Sequence, residues 1–277
     1  ARLGGDEFIL VSKELSEEEI EENTEYAFAK GLLEVIRKLY IIDGHHLHIS
    51  ASIGVHQVNP SFLHSTNFIR EADIAMYEAK AQGRDGVIIF NKDLEERVER
   101  HLGIEQKLHR ALKENKLNVL YQPQFDKNEL VVGCEALIRW YDYDLGILDP
   151  EEFIPIAENT GLILELGSYV LKETFKSVSR WNEKGMKLKS FSVNVSMRQL
   201  LCETFIDEVA QLIKLYFPKR EHGQKIVFEI TEHVFAEDMK KVVNIMNSLK
   251  KLGISFSIDE FGKGYSSLSY LKVLHID

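Results

Sequence analysis

Cysteine and proline are scarce in this chain, with 2 and 5 among 277 residues. Cys134 and Cys202 cannot staple a disulfide framework and lack metal-ligand spacing, so a reducing cytoplasm is the expected compartment. So few prolines argue against collagen-like, low-complexity or disordered sequence. No apolar run approaches the roughly 18 residues that a membrane span requires. The opening Ala1-Arg2-Leu3-Gly4-Gly5 has neither the basic nor the apolar region of a signal peptide. Positive charge is also in deficit: 34 Lys+Arg against 44 Asp+Glu leave a net charge of -10. That balance argues against binding duplex nucleic acid through phosphate neutralisation, while a single nucleotide can still be held locally.

What is present suits packed domains: 44% of residues are hydrophobic and 28% charged. Domains take on the order of 100–200 residues, so the length makes room for two. The first half reads as α+β. A Gly4-Gly5 turn leads into a strand from Phe8 to Val11, and the acidic stretch Glu14 to Glu25 leads into a helix. Asp43-Gly44 is a turn before an alternating strand from Leu47 to Val55, and a helix is expected from Asn67 to Gln82 before a short strand from Val87 to Phe90. A charged, helical stretch from Asn91 to about His109 joins this half to the next. The expected division is therefore residues 1–90, a helical linker over 91–103, and 104–277. Strands follow at Leu117 to Phe125, Val131 to Tyr141, Phe191 to Ser196, Lys225 to Thr231 and Ser255 to Phe261. Long helical segments separate them after the second, which points to a parallel sheet or barrel.

The polar residues of these strands fall in register with their alternation. Glu135, Leu137 and Arg139 share one face, opposite Ala136, Ile138 and Trp140. Ser192, Asn194 and Ser196 oppose the apolar residues of their strand, Glu229 shares a face with Val227, and Asp259 lies with two serines opposite Phe256 and Ile258. Taken singly, Asn194 also suits a helix cap, Glu229 and Glu232 first-turn acids, and Asp259 a turn. Together they set three carboxylates and an amide near the ends that βα barrels use for chemistry. Such a group is costly to desolvate without a cation, and its oxygen donors suit Mg²⁺ or Mn²⁺ rather than zinc.

The motifs that carry these residues resemble the EAL phosphodiesterase family. They are Tyr121-Gln122-Pro123, Glu135-Ala136-Leu137 with Arg139-Trp140, Pro150 to Pro155, Asn194-Val195-Ser196 with Gln199-Leu200, Glu229-Ile230-Thr231-Glu232 and Asp259-Glu260-Phe261-Gly262 with Gly264 to Leu268. The first part resembles the later half of a GGDEF domain, through Gly4-Gly5-Asp6-Glu7-Phe8, Ser52 to Val55, Ala72-Asp73, Met76-Tyr77, Ala79-Lys80 and Gly83-Arg84. The implied fold class is α/β: a partial, nucleotidyl-cyclase-like α+β GGDEF domain followed by an incomplete TIM-like (β/α) barrel of the EAL type.

The resemblance implies a bacterial signalling protein that hydrolyses cyclic di-GMP to linear pGpG by two-metal, in-line attack. Glu135, Asn194, Glu229 and Asp259 would be Mg²⁺ or Mn²⁺ ligands, with Glu260 at the position of a second-metal carboxylate. Glu135 and Glu232 would be the catalytic pair, Glu232 acting through the loop that supports metal binding and dimerisation. Gln122, Leu137 and Arg139 would hold the dinucleotide. In the GGDEF part Asp6 would hold a metal, Gly5 and Glu7 would line a GTP site, and Lys80 and Arg84 would support phosphate binding. A homodimer through the EAL domain is implied.

Two positions depart from the family pattern. Glu260 replaces its usual second Asp, and Lys263 its usual Thr. The family's later Lys, Glu and Gln, with three barrel strands, would follow Asp277. The stretch thus reads as part of a longer protein, inactive on its own, whose remainder could include a sensor or membrane segment. The alternatives are a cyclic di-GMP or GTP receptor without catalysis, and a parent acting mainly as a diguanylate cyclase. His45, His46 and His48 follow a hairpin turn and read as strand surface rather than a zinc site. Cys134, opposite in parity to Glu135, reads as a packed thiol.

Overall fold

The computed structural model describes residues 1–12, 16, 24–58, 67–186, 188–218, 225–231 and 239–259. Its chain divides between Leu102 and Gly103 into two units. The first opens on β1 (Arg2–Gly4) paired antiparallel with β2 (Glu7–Phe8). Gly5 sits between them at φ 54, a conformation that glycine adopts without a Cβ penalty. The Arg2 guanidinium clamps this turn with two hydrogen bonds to the Gly5 carbonyl, at 2.7 and 3.0 Å.

Helix α1 (Thr24–Ile36) precedes a second hairpin, β3 (Tyr40–Ile42) with β4 (His45–Leu47). Asp43 and Gly44 have φ of 50 and 78, the pair of positive values that a two-residue hairpin turn requires. The strand expected from Leu47 to Val55 is split, because its ends serve different partners. Leu47 closes the pairing with Tyr40, whereas Ile53 opens β5 (Ile53–Val55), which runs parallel to β6 (Val87–Ile89). The crossover between them carries α2 (Phe68–Ala81). A Cβ on Gly54 would meet the Ala72 carbonyl at 2.0 Å, so only glycine lets this helix lie so close. Ala75, Leu94 and Val98 form the small buried cluster of this unit.

Helix α3 (Lys92–Lys113) begins in the first unit and ends in the second. Next come β7 (Leu117–Phe125), β8 (Val131–Asp142), β9 (Gly146–Leu148), α4 (Pro150–Thr160), α5 (Ile163–Glu183) and β10 (Ser190–Asn194). Then follow α6 (Met197–Leu200), α7 (Phe205–Tyr216), β11 (Lys225–Thr231), α8 (Met239–Lys251) and β12 (Ile254–Asp259). The sheet runs in the order β12-β11-β10-β8-β7, with β9 also on β8. Strands β8, β10, β11 and β12 are mutually parallel, joined by helices as βα alternation predicts.

Strand β7 departs from that pattern and pairs antiparallel with β8. Parallel strands need a crossover of a dozen or more residues, and only Asp126 to Leu130 lie between these two. The Asp126 carboxylate accepts from the Asn128 and Leu130 backbone N–H groups at 2.8 and 3.1 Å, and so builds the tight turn.

Strand alternation sets where the core lies. Ala136, Ile138 and Trp140 of β8, Phe191 and Val193 of β10, Ile226, Phe228 and Ile230 of β11, and Ile254 and Phe256 of β12 are buried in one cluster with α4, α5, α7 and α8. Edge-on aromatic pairs lock it, with Trp140 and Phe153 centroids 5.5 Å apart and Phe175 and Phe191 5.8 Å apart. Burying each such side chain contributes about 1.5–3 kcal/mol. The polar residues are left to the opposite face.

Candidate active site

Register decides which polar residues meet. Glu135 of β8 lies opposite Ser192 of β10, and Asn194 of β10 opposite Glu229 of β11. Glu229 faces Ser257 of β12, with Asp259 two pairs further on, opposite Thr231. The Asn194 amide donates from Nδ2 to Glu135 Oε1 at 2.8 Å. Helix α6 starts immediately afterwards. Ser196 caps it by accepting from the Gln199 N–H while the Gln199 side chain returns to the Ser196 N–H, which pins the chain leaving Asn194.

Glu229 is half-buried, and burial raises its carboxyl above the ordinary range. The negative charge of Glu135 pushes the same way, that of Asp259 less, and the Ser192 hydroxyl opposes them as a hydrogen-bond donor. Of the other three residues expected to hold metal, Glu135 and Asp259 therefore act on Glu229 through their charge, and the third, Asn194, grips Glu135. Their donors are all oxygen, and the crowded negative charge is of the kind a divalent cation offsets, so the set fits Mg²⁺ or Mn²⁺. No three His, Cys, Asp or Glu groups at metal-binding separation occur among the described residues, so the fit rests on the mixed carboxylate and amide set. Glu232, Glu260 and Lys263 lie outside the described residues.

The expected dinucleotide-holding residues share this face. Gln122 of β7 pairs with Glu135 and is exposed, and Leu137 and Arg139 follow Glu135 on β8, half-buried. The Arg139 guanidinium donates to the Ile138 carbonyl at 2.7 Å. Sequence reasoning passed over two residues as members of the site. Ser192 is 2% exposed and accepts a hydrogen bond from Gln124 Nε2 at 3.4 Å. The available signal was parity, since Gln124 shares a face with Gln122.

In the first unit Gly5, Asp6 and Glu7 form and follow the β1–β2 turn and are exposed, while Lys80 and Arg84 lie at the end of α2 and just beyond, also exposed. The β1–β2 hairpin is a separate two-stranded sheet from β5–β6, and no hydrogen bond or ion pair links these two groups of residues among the described ones. His45 and His46 lie on β4 and are exposed, as is His48, in keeping with strand surface. Cys134 is buried, and burial pushes its thiol up to about 11. Two cavities lie elsewhere. One of about 400 Å³ is lined by Ile206, Lys240 and Asn244, and another of about 380 Å³ by Glu165, Gln199 and Glu208, so neither contains the acids.

Comparison with known proteins adds to this geometry. The EAL domain model matches residues 105–277, and the model for the diguanylate cyclase GGDEF domain matches residues 1–86. The chain is 34% identical over 99% of its length to 39% of the bifunctional diguanylate cyclase/cyclic di-GMP phosphodiesterase MucR of Pseudomonas aeruginosa. It is 33% identical over its whole length to 40% of the cyclic di-GMP phosphodiesterase PdeR of Escherichia coli. The chain thus spans about two fifths of these relatives, at 39% and 40%. Among solved structures, a PaMucR phosphodiesterase in complex with c-di-GMP is similar with a TM-score of 0.58 and 33% identity. That match covers 63% of this chain and 70% of the other. No helix of the described residues is long and apolar enough to cross a membrane.

Proposed function

Because the chain belongs to the EAL domain family and carries a GGDEF domain ahead of it, we propose that the full-length protein hydrolyses cyclic di-GMP to linear pGpG at the polar face of the β8–β12 sheet. The observation that carries this reading is the meeting of Glu135, Asn194 and Glu229 on adjacent parallel strands, with Asp259 near enough to act on Glu229. Glu135, Asn194, Glu229 and Asp259 would hold Mg²⁺ or Mn²⁺, with Glu260 contributing to a second ion. Bound there, such ions lower the pKa of water and stabilise the attacking and leaving oxygens of an in-line displacement.

The chain's own residues do the rest. Asn194 orients Glu135 through its amide. Arg139 offers a fixed fork of N–H donors suited to a phosphate, and Gln122 and Leu137 supply polar and apolar contact to the dinucleotide. Water's oxygen joins phosphorus as the bond to one ribose oxygen breaks, opening the ring without a second cleavage. Glu232 would support the site, and the protein pairs as a homodimer through this domain. In the GGDEF part, Asp6 would hold a cation, Gly5 and Glu7 would line a GTP site, and Lys80 and Arg84 would meet phosphate.

Full-length protein with Mg²⁺ or Mn²⁺ is expected to convert cyclic di-GMP to pGpG, followed by chromatography, and Glu135→Ala to abolish it. Full activity in that variant contradicts the assignment. Glu260 and Lys263, which depart from the family pattern, favour a second reading as a receptor without catalysis. Tight cyclic di-GMP binding with no turnover in any divalent metal would select it.

A further inference from the structure

Strand β10 stops pairing with β8 at Val193, opposite Ala136. The Asn194 amide therefore reaches Glu135 from beyond the last rung of that ladder, at 2.8 Å. Asn194 is exposed, so core packing does not hold it there. On one flank the Val195 N–H donates to the Glu229 carbonyl of β11 at 2.9 Å. On the other stands the cap of α6. Gln199 Oε1 accepts from both the backbone N–H and the hydroxyl of Ser196, each at 3.2 Å, and Ser196 Oγ accepts from the Gln199 N–H at 3.3 Å. The Gln199 side chain is in turn seated by α5. A Cβ on Gly167 would fall 1.6 Å from Gln199 Nε2, 2.1 Å from its Cδ and 2.5 Å from its Oε1, so the whole amide lies against bare helix backbone.

We infer that Gln199, seated on Gly167, is a positioning residue for the phosphodiester hydrolysis: it fixes the Ser196 backbone and thereby the aim of the Asn194 amide at Glu135. The inference rests on the reading of Glu135 and Asn194 as metal ligands. Ser196 follows Asn194 by two residues, so a turn of the Ser196 peptide is passed to Asn194 with little chain between to absorb it. Gln199 is 4% exposed, so water does not readily take over its bonds to Ser196. A ligand held in its binding orientation loses less freedom when the ion arrives than one that swings, which is how partners outside the coordination sphere act on affinity.

The test is Mn²⁺ binding to the full-length protein, followed by electron paramagnetic resonance, with urea unfolding of each variant alongside. Gln199→Met keeps the length of the side chain and removes the oxygen that holds Ser196. Partners that orient ligands change metal affinity by about 10–100-fold, so this variant is expected to weaken binding about tenfold. In an Asn194→Ala background the same substitution is expected to cause no further loss, because the side chain it aims is gone. Losses that multiply in the double variant overturn the inference. So does parental Mn²⁺ affinity in Gln199→Met, even with a lowered urea midpoint, since the cap then serves stability alone. A parent that binds no Mn²⁺ overturns the metal reading and this inference with it, whereas normal parent binding with an unaffected Gln199→Met overturns this inference alone. If Gln199→Met fails to fold, Ser196→Ala, which removes the hydroxyl from the cap, decides: weakened binding supports the inference and unchanged binding overturns it.

Discussion

The Asn194 amide donates to the Glu135 carboxylate at 2.8 Å, joining two parallel strands across 59 positions of sequence. Asn194 is exposed and packs into no core. Asn194→Ala is therefore expected to lower cyclic di-GMP hydrolysis by the full-length protein at least about tenfold, while the urea midpoint stays close to the parent's. Chromatographic assay of pGpG together with unfolding curves checks both halves. A large drop in midpoint would reassign the residue to stability.

Gly167 of α5 packs against Gln199, the side chain that completes the α6 cap. Alanine for glycine inside a helix ordinarily gains up to about 1 kcal/mol, yet a Cβ here would fall 1.6 Å from Gln199 Nε2. Overpacking costs about 1–3 kcal/mol and a lost cap about 1 kcal/mol. Gly167→Ala is thus expected to destabilise the protein, by about 1–3 kcal/mol in urea titration. A rise in stability would mean that Gln199 moves aside freely.

The two cysteines should react at different rates. Cys134 is buried with its thiol pushed up to about 11, while Cys202 is partly exposed. The thiolate is the reactive form, and it is rare for Cys134 at neutral pH. In native protein at pH 7.5 Cys202 is expected to react fast and Cys134 slowly in a disulfide-exchange assay read by peptide mass, and both fast once the protein is unfolded. Fast reaction of Cys134 in the native state would place it in contact with solvent.

Lys107 bonds both Asp142 and Asp144, the first at 2.7 Å. The Lys107 hydrogen bond holds the Asp142 carboxyl below its ordinary value, helped by the Leu145 and Asp144 backbone N–H groups. A carboxyl lowered on folding stabilises the fold above its unfolded pKa and loses that effect as pH falls through the folded one. Lys107→Met is expected to lower the urea midpoint at pH 7 and to approach the parent's as pH drops below about 4. A gap that persists unchanged in acid would point to lost packing of the lysine stem instead.

Which face each strand buries was legible in the sequence. Ala136, Ile138 and Trp140 alternate with Glu135, Leu137 and Arg139, and the structure buries the first set and leaves the second on the other side. Hydrophobic contrast at every second residue suffices for that. Register was not legible, because no local pattern states that Asn194 stands opposite Glu229 or reaches Glu135. The antiparallel start of the sheet was missed as well, although Asp126 and its short turn carry the cause. Gln124 and Ser192 went unassigned for a related reason: their meeting depends on the empty side of Gly133, on the strand that lies between theirs.

The division of labour between strand faces has an evolutionary consequence. Residues that lock the scaffold and residues that face the acids never share a position, so Asn194 or Asp259 can drift to an inert side chain without opening a void. A lineage can retire its chemistry in one step and keep the folded surface for other use.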